Sequence, residues 1–200
     1  MIIVKQRKQM RLKKYDYSDS GWYFVTICTQ NRECLFGDIV NNKIILNQNG
    51  LLINENWKQL INKFSIELDE FVIMPNHVHG IIVIKQNIVG VSFMKPDQLK
   101  SEMIFNIGKS NHHMDLLNDK KGLINQTPTL GLIIRYFKSK CTYELHKIGF
   151  TNNLWQRNYY EHVIRTEYDL NKIHQYIKDN PINWDEDRNN LINKSSLNSL

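Results

Sequence analysis

The sequence predicts an α+β fold, a ferredoxin-like or RNA-recognition-like sandwich in which a mainly antiparallel sheet carries helices packed on one face. One observation is the order of the apolar patterns, which runs strand, helix, two strands, helix, strand and helix. Another is that only Pro75 and Asn76 separate the two consecutive strands, which a short antiparallel connection allows.

The strands are recognised by their composition. Residues 21–30, GWYFVTICTQ, are rich in aromatic and β-branched side chains that alternate between two faces. The segment VNNKIILNQNG predicts a turn and a short strand. The runs IELDEFVIM and HVHGIIVI predict paired strands in the middle of the sheet, and LWQRNYYEHVIR contains a further short strand.

Three segments have apolar residues at helical spacing. The first covers about residues 49–64, and the second, LGLIIRYFKSKCTYELHKIG, ends at Gly149. In the third, TEYDLNKIHQYIKDNP, Thr166 caps the start and Pro181 ends the helix.

The periodicity also predicts the domain boundaries. Residues 21–187 form a single domain, interrupted by a polar insertion at about residues 85–130 where the periodicity is lost. A basic arm precedes it at residues 1–20, and a polar, frayed tail follows at residues 188–200.

Composition favours a polyanionic partner, because the formal net charge is +6 and the isoelectric point is near 9.1. No run of about 18 apolar residues predicts a membrane span, and the N-terminus does not read as a secretory signal. The three cysteines lack the C-x-x-C spacing of a zinc knuckle, and their odd number fits a reducing compartment. We therefore expect a cytoplasmic protein that is not associated with a membrane.

The most specific feature is the pair His77 and His79. Residues two apart on a strand project to the same face, so the two imidazoles lie side by side and could both bind one metal ion. No cysteine cluster or H-E-x-x-H pattern accompanies them, which favours Mg²⁺ or Mn²⁺ completed by amide, water and phosphate oxygens over zinc. The alternative is a pair of satisfied core histidines.

A second feature lies on the last helix, where Tyr176 and Asn180 are neighbours on one face. Together they could supply a nucleophile and a metal-binding carbonyl, although the spacing is common and most tyrosines are simply packed. Tyr159 and Tyr160 compete as nucleophiles, because His162 lies close enough in sequence to act as a base.

Several motifs in the same order carry a resemblance to a known family. The run FVIMPNHVHGIIVI, followed by LWQRNYYEHVIR and EYDLNKIHQYIKDNP, resembles the single-tyrosine HUH transposases, and among them the REP-associated tyrosine transposases. The match also includes YFVTICTQNRECLFG and LGLIIRYFKSKCT. It covers most of the chain except the insertion and the two ends.

This resemblance implies roles for individual residues. It implies that His77 and His79, on either side of Val78, bind a divalent metal, with Asn180 as the third protein ligand. It implies that Tyr176 is the nucleophile of a transposase that cleaves and rejoins single-stranded DNA through a 5′-phosphotyrosine. The expected partner is single-stranded DNA with a hairpin near the cleavage site, and a homodimer is left open.

Five cations are expected to contact the DNA. They are Arg135, Lys138, Lys140, Arg157 and Arg165. Two other functions stay open at this point. One is a non-catalytic ferredoxin-like module that binds nucleic acid and has structural histidines. The other is a domesticated family member that nicks DNA without mobilising an element.

Overall fold

The computed structural model describes residues 20–85 and 128–190. Its strands are β1 (Gly21–Cys28), β2 (Gly37–Val40), β3 (Lys43–Leu46), β4 (Ile66–Met74), β5 (His77–Ile84) and β6 (Tyr160–Ile164). Its α-helices are α1 (Gln48–Lys58), α2 (Leu60–Lys63), α3 (Leu130–Lys147) and α4 (Glu167–Asp179), and Gln30–Arg32 and Trp184–Glu186 are short 3₁₀ turns.

The main sheet has four antiparallel strands in the order β4, β5, β1, β6. This confirms the α+β class and the direct pairing of β4 with β5. The prediction that both strands lie in the middle of the sheet is correct for β5 and wrong for β4, which is an edge strand. The segment predicted as one short strand is a separate hairpin of β2 and β3, because Asn41 and Asn42 both adopt the left-handed conformation that a tight two-residue turn requires.

Side chains close the helices where the sequence places capping residues. The Thr166 hydroxyl accepts from the backbone N–H of Asp169, which confirms the predicted start of α4. Asn47 caps α1 in the same way. The helix predicted over residues 49–64 is divided into α1 and α2, which Gln59 separates.

The larger core lies on the face of the sheet that carries α1 and α3. Trp57 of α1 is fully buried and packs edge-on against Phe137 of α3, with ring centroids 5.2 Å apart. Beneath it is Gly80 of β5, where an added Cβ would lie 2.4 Å from Cζ2 of Trp57. Glycine at this position therefore allows the indole to lie directly on the sheet.

The last helix lies on the opposite face, where Ile177 packs against Phe24, Ile81 and Ile164. The expectation that the helices share one face is therefore correct for α1 and α3 and wrong for α4. The reason is strand alternation, because Phe24 and Ile81 point away from the core that Val25 and Ile82 join.

Residues 188–190 also differ from the expectation. Asn189 and Asn190 are buried, and Asn189 accepts a hydrogen bond from the Asn76 side chain through its carbonyl, so the chain is still part of the fold there. The rest of the predicted tail, nearly all of the predicted arm and most of the predicted insertion lie outside the described residues. Within the described part, no helix is both long and apolar enough to cross a membrane.

Candidate functional site

His77 and His79 lie on the α4 face of β5, and both side chains are fully buried. Their ring centroids are 4.4 Å apart, so the two imidazoles lie side by side, as their spacing on a strand predicts. Burial, and for His79 also the neighbouring His77, lowers the pKa of both rings, with the pKa of His77 at about 4. Both imidazoles are therefore neutral near pH 7.

The ring of His77 is held in one tautomer. Asn76 donates through its Nδ2 to the carbonyls of Arg32 and Asn189, which leaves its Oδ1 to accept at 2.8 Å from Nδ1 of His77. Nδ1 therefore carries the proton and Nε2 has a free lone pair. The ring of His79 is oriented by Thr26, whose hydroxyl lies 2.9 Å from Nδ1 and can either donate or accept there. Such partners orient metal-ligating histidines.

Asp187 enters the site from the segment after α4, a position that the sequence does not predict. Its Oδ2 lies 3.9 Å from Nε2 of His77 and accepts from Nδ2 of Asn180 at 3.2 Å. Ligand atoms of His77, His79 and Asp187 all lie within 4.8 Å of one another. Nothing in the local sequence distinguishes Asp187 from the acidic residues beside it, so only the fold reveals its place.

Two buried polar atoms at this cluster have no hydrogen-bond partner among the described residues. They are Nε2 of His77 and Oδ1 of Asn180. Both are acceptors, so another acceptor cannot satisfy them, whereas a cation can satisfy both. Two imidazole nitrogens, an amide oxygen and a carboxylate form a donor set that fits a divalent metal ion.

Tyr176 lies beside this cluster, one helical turn before Asn180. Its hydroxyl is 3.2 Å from Nε2 of His79, while 42% of the side chain is exposed. The side chain faces a cleft of about 590 Å³ that Tyr160, Asp187 and Arg188 also line. Burial and the charge of Asp187 raise the pKa of the phenol, whereas Arg188 lowers it.

The competing residues have other contacts. Tyr160 lines the same cleft, but its nearest described ring contact is with Phe24, and the guanidinium of Arg188 lies 5.7 Å from its ring centroid. The ring of His162 instead pairs with Asp169 at 2.7 Å. Among the tyrosines of the described residues, Tyr176 has a hydroxyl in hydrogen-bond contact with the histidine pair.

The five cations predicted to contact DNA fall into different places. Arg135, Lys138 and Arg157 line a second cleft of about 500 Å³ beside the first turns of α3. There the ammonium of Lys138 donates to two backbone carbonyls at 2.7 and 2.9 Å, and burial lowers its pKa to about 8. Lys140 pairs with Glu144 at 2.6 Å. Arg165 comes directly after β6, at the other end of that strand from Tyr160, and lines neither cleft.

No protein-family model matches the chain. A protein of Haemophilus influenzae (strain ATCC 51907 / DSM 11121 / KW20 / Rd), described as uncharacterized, is 39% identical over 186 residues, which cover 92% of this chain and 93% of that protein.

Two solved structures are also similar. A REP-associated tyrosine transposase bound to a REP hairpin is 17% identical with a TM-score of 0.49, over 86% of this chain and 73% of the other. A candidate transposase of Deinococcus radiodurans is 14% identical with a TM-score of 0.36, over 86% and 97%. Both descriptions name transposases.

Proposed function

We propose that this chain is a metal-dependent transposase that cuts and rejoins single-stranded DNA through Tyr176. The chain belongs to the same protein family as the uncharacterized Haemophilus influenzae protein. One observation carries the proposal. The hydroxyl of half-exposed Tyr176 lies 3.2 Å from Nε2 of buried His79. Next to it are the unpartnered Nε2 of His77 and the carboxylate of Asp187. Most buried polar atoms with a purely structural role have a hydrogen-bond partner.

The metal would be held by His77, His79 and Asn180, with the carboxylate of Asp187 beside them. When bound, Mg²⁺ or Mn²⁺ would polarise a non-bridging oxygen of the scissile phosphate and stabilise the departing 3′ oxygen. Asp187 and the histidines have different tasks in this arrangement. The histidines would bind the metal through neutral imidazole nitrogens, and Asn76 and Thr26 orient the two rings. Asp187 would supply negative charge that balances the cation.

Tyr176 supplies the nucleophile. Its phenolic oxygen attacks the phosphorus, the bond to the 3′ oxygen breaks, and a 5′-phosphotyrosine and a free 3′-hydroxyl result. Because the energy of the phosphodiester is kept in the covalent bond, a 3′-hydroxyl from another strand can reverse the step without ATP. The raised pKa of Tyr176 means that nearby positive charge has to favour the phenolate, and Arg188 is the described cation that lowers this pKa.

The DNA would be single-stranded next to the cut, with a hairpin close by, and the five predicted cations are proposed to contact its backbone. Arg135 and Arg157 are exposed in the second cleft and suit this role best. Lys138 and Lys140 already have acceptors in the structure, so phosphate would have to compete for them. A homodimer remains compatible with this proposal.

The test is covalent capture on Tyr176. Incubated with Mn²⁺ and labelled single-stranded DNA from the flanks of its own gene, the wild-type protein should form a denaturation-resistant adduct. Tyr176→Phe should form none while binding the DNA as before. Tyr168→Phe is the matched control, because Tyr168 is on the same helix and 70% exposed.

Loss of the adduct in Tyr160→Phe but not in Tyr176→Phe would move the nucleophile to the competing tyrosine. DNA binding that needs no divalent cation, without an adduct in any variant, would instead favour the non-catalytic nucleic-acid-binding module.

A further inference from the structure

Three clefts of the described surface are neighbours. The cleft of about 590 Å³ at Tyr176, here the site cleft, shares Tyr160 and Arg188 with a smaller cleft of about 270 Å³, here the middle cleft. The middle cleft shares Asn158 and Tyr159 with the cleft of about 500 Å³ beside α3, here the α3 cleft. Because each cleft shares two lining residues with the next, the three form one groove that leads away from Tyr176.

Four arginines line this groove in succession. Arg188 lines the site and middle clefts, Arg32 the middle cleft, and Arg157 and Arg135 the α3 cleft. Within residues 20–85 and 128–190 none of the four forms an ion pair. In contrast, five lysines outside the groove each pair with a carboxylate, namely Lys58, Lys85, Lys140, Lys147 and Lys178. The unpaired guanidinium groups are available to an anionic ligand.

Arg32 is fixed by the same turn that supports the histidine site. Asn31 and Arg32 have φ angles of 53° and 58°, a left-handed conformation that is uncommon for an arginine. The Arg32 carbonyl accepts a hydrogen bond from Asn76, the residue that orients His77. One guanidinium nitrogen of Arg32 donates to the Arg188 carbonyl at 3.2 Å. Its remaining N–H groups can bind a ligand.

The groove also has aromatic side chains. Tyr160 is 39% exposed at the junction of the site and middle clefts, and Tyr159 lies at the junction of the middle and α3 clefts. Arginines interleaved with tyrosines suit a polymer that has both phosphates and flat bases. Stacking on a tyrosine requires an unpaired base, so a single strand fits this groove better than a duplex.

We propose that the single-stranded DNA next to the scissile phosphate follows this groove from Tyr176 to Arg157 and Arg135. Its phosphates contact the four arginines, and its bases stack on Tyr160 and Tyr159. This inference rests on the proposed function, which supplies single-stranded DNA as the substrate. It adds a direction along the surface and two arginines, Arg32 and Arg188, that the sequence did not identify.

The experiment measures the salt dependence of binding in the Tyr176→Phe protein, so that no covalent adduct forms. The probe is a fluorescent oligodeoxythymidylate of roughly 16 nucleotides, at the upper end of known single-strand site sizes. Replacement of Arg32, Arg135, Arg157 or Arg188 by Gln should each make the slope of log affinity against log salt less steep by about 0.7, the value for one lost phosphate contact on a single strand.

The control is Lys43→Gln, which removes an exposed cation from the separate β2–β3 hairpin and should leave the slope unchanged. Tyr160→Ala should weaken binding of the oligonucleotide by roughly 5- to 150-fold. Circular dichroism shows whether each variant keeps its fold.

The outcomes separate this inference from the proposed function. If the arginine variants keep the parent slope while the wild-type protein still forms its adduct, the groove is wrong and the enzyme assignment stands. If the wild-type protein neither binds single-stranded DNA nor forms an adduct, both fail together.

Discussion

On one face of the four-stranded sheet, β1 and β5 present Ile27 and Val78 to α1 and α3. On the other face, the same two strands present Thr26, His77 and His79 beneath α4. The first face is an extended apolar core, whereas the second has a small apolar cluster next to buried polar groups. One face therefore provides most of the stability, and the other can carry chemistry that a uniform core would not tolerate.

The way α4 is attached shows the same difference. Its apolar contact is supplemented by polar ones to the irregular part of β4, where His174 lies 2.8 Å from Asp69 and Lys178 lies 3.2 Å from Glu70. The helix that carries Tyr176 is thus held partly by polar side-chain pairs that are not fully buried, and such pairs contribute little individually. We therefore expect α4 to be bound less firmly than α1 and α3.

The largest effect on the free energy of unfolding is expected from a cavity in the core on the apolar face. Trp57→Ala should lower the free energy of unfolding by about 3–5 kcal/mol, because a fully buried indole leaves a large cavity. Ile177→Ala on the site face should lower it by less, about 2 kcal/mol, because its cluster is small. Urea denaturation measures both. An equal loss for the two variants would contradict the proposed division between the faces.

The next effect is a pH dependence that arises from the site face. The unfolded chain protonates a histidine near pH 6.5, whereas folded His77 takes up its proton only near pH 4, so the unfolded state binds more protons in between. The contribution of His77 to the free energy of unfolding of the metal-free protein should therefore fall as the pH falls from about 6.5 towards 4, by about 3 kcal/mol. The lowered pKa of His79 acts in the same direction.

Denaturation in the presence of a chelator, at several values between pH 7 and pH 5, measures this loss above the range where most carboxyl groups titrate. His77→Gln is expected to flatten the curve. A curve that is equally steep in this variant would place the titrating group elsewhere.

The smallest effect sharpens the role of Asp187. Asp187→Asn should weaken Mn²⁺ binding by about 10- to 100-fold, the range for loss of a group that supports or completes a metal site. Titration calorimetry with the metal alone measures this without depending on activity. Asp185→Asn is the matched control, because Asp185 is exposed two residues away. Equal affinity in the two variants would remove Asp187 from the metal site.

Much of the site follows from local periodicity. The spacing of two in His77 and His79 determines that they share a face on any strand, and the spacing of four in Tyr176 and Asn180 does the same on any helix. The start of α4 at Thr166 and the pairing of β4 with β5 also follow from short-range signals, namely a capping residue and a short connection. Each depends on residues that are close in sequence.

Other features depend on contacts between distant segments. Asp187 lies next to His77 although more than a hundred residues separate them in sequence. Arg32 and Arg188 are in contact across a similarly long separation. No periodicity identifies such residues, because their environment is created by packing rather than by their neighbours in the chain. The placement of α4 on its own face is of this kind, since either face of the sheet offers an apolar patch.

The sequence by itself therefore determined which residues form the histidine pair and the tyrosine helix, because backbone geometry converts short spacings into shared faces. Only the tertiary structure decided that these two elements meet, that Asp187 joins them and that arginines from separate segments of the chain line one groove. The physical reason is that a strand and a helix each define the direction of a side chain locally, whereas the distance between them is set by how the buried surfaces pack.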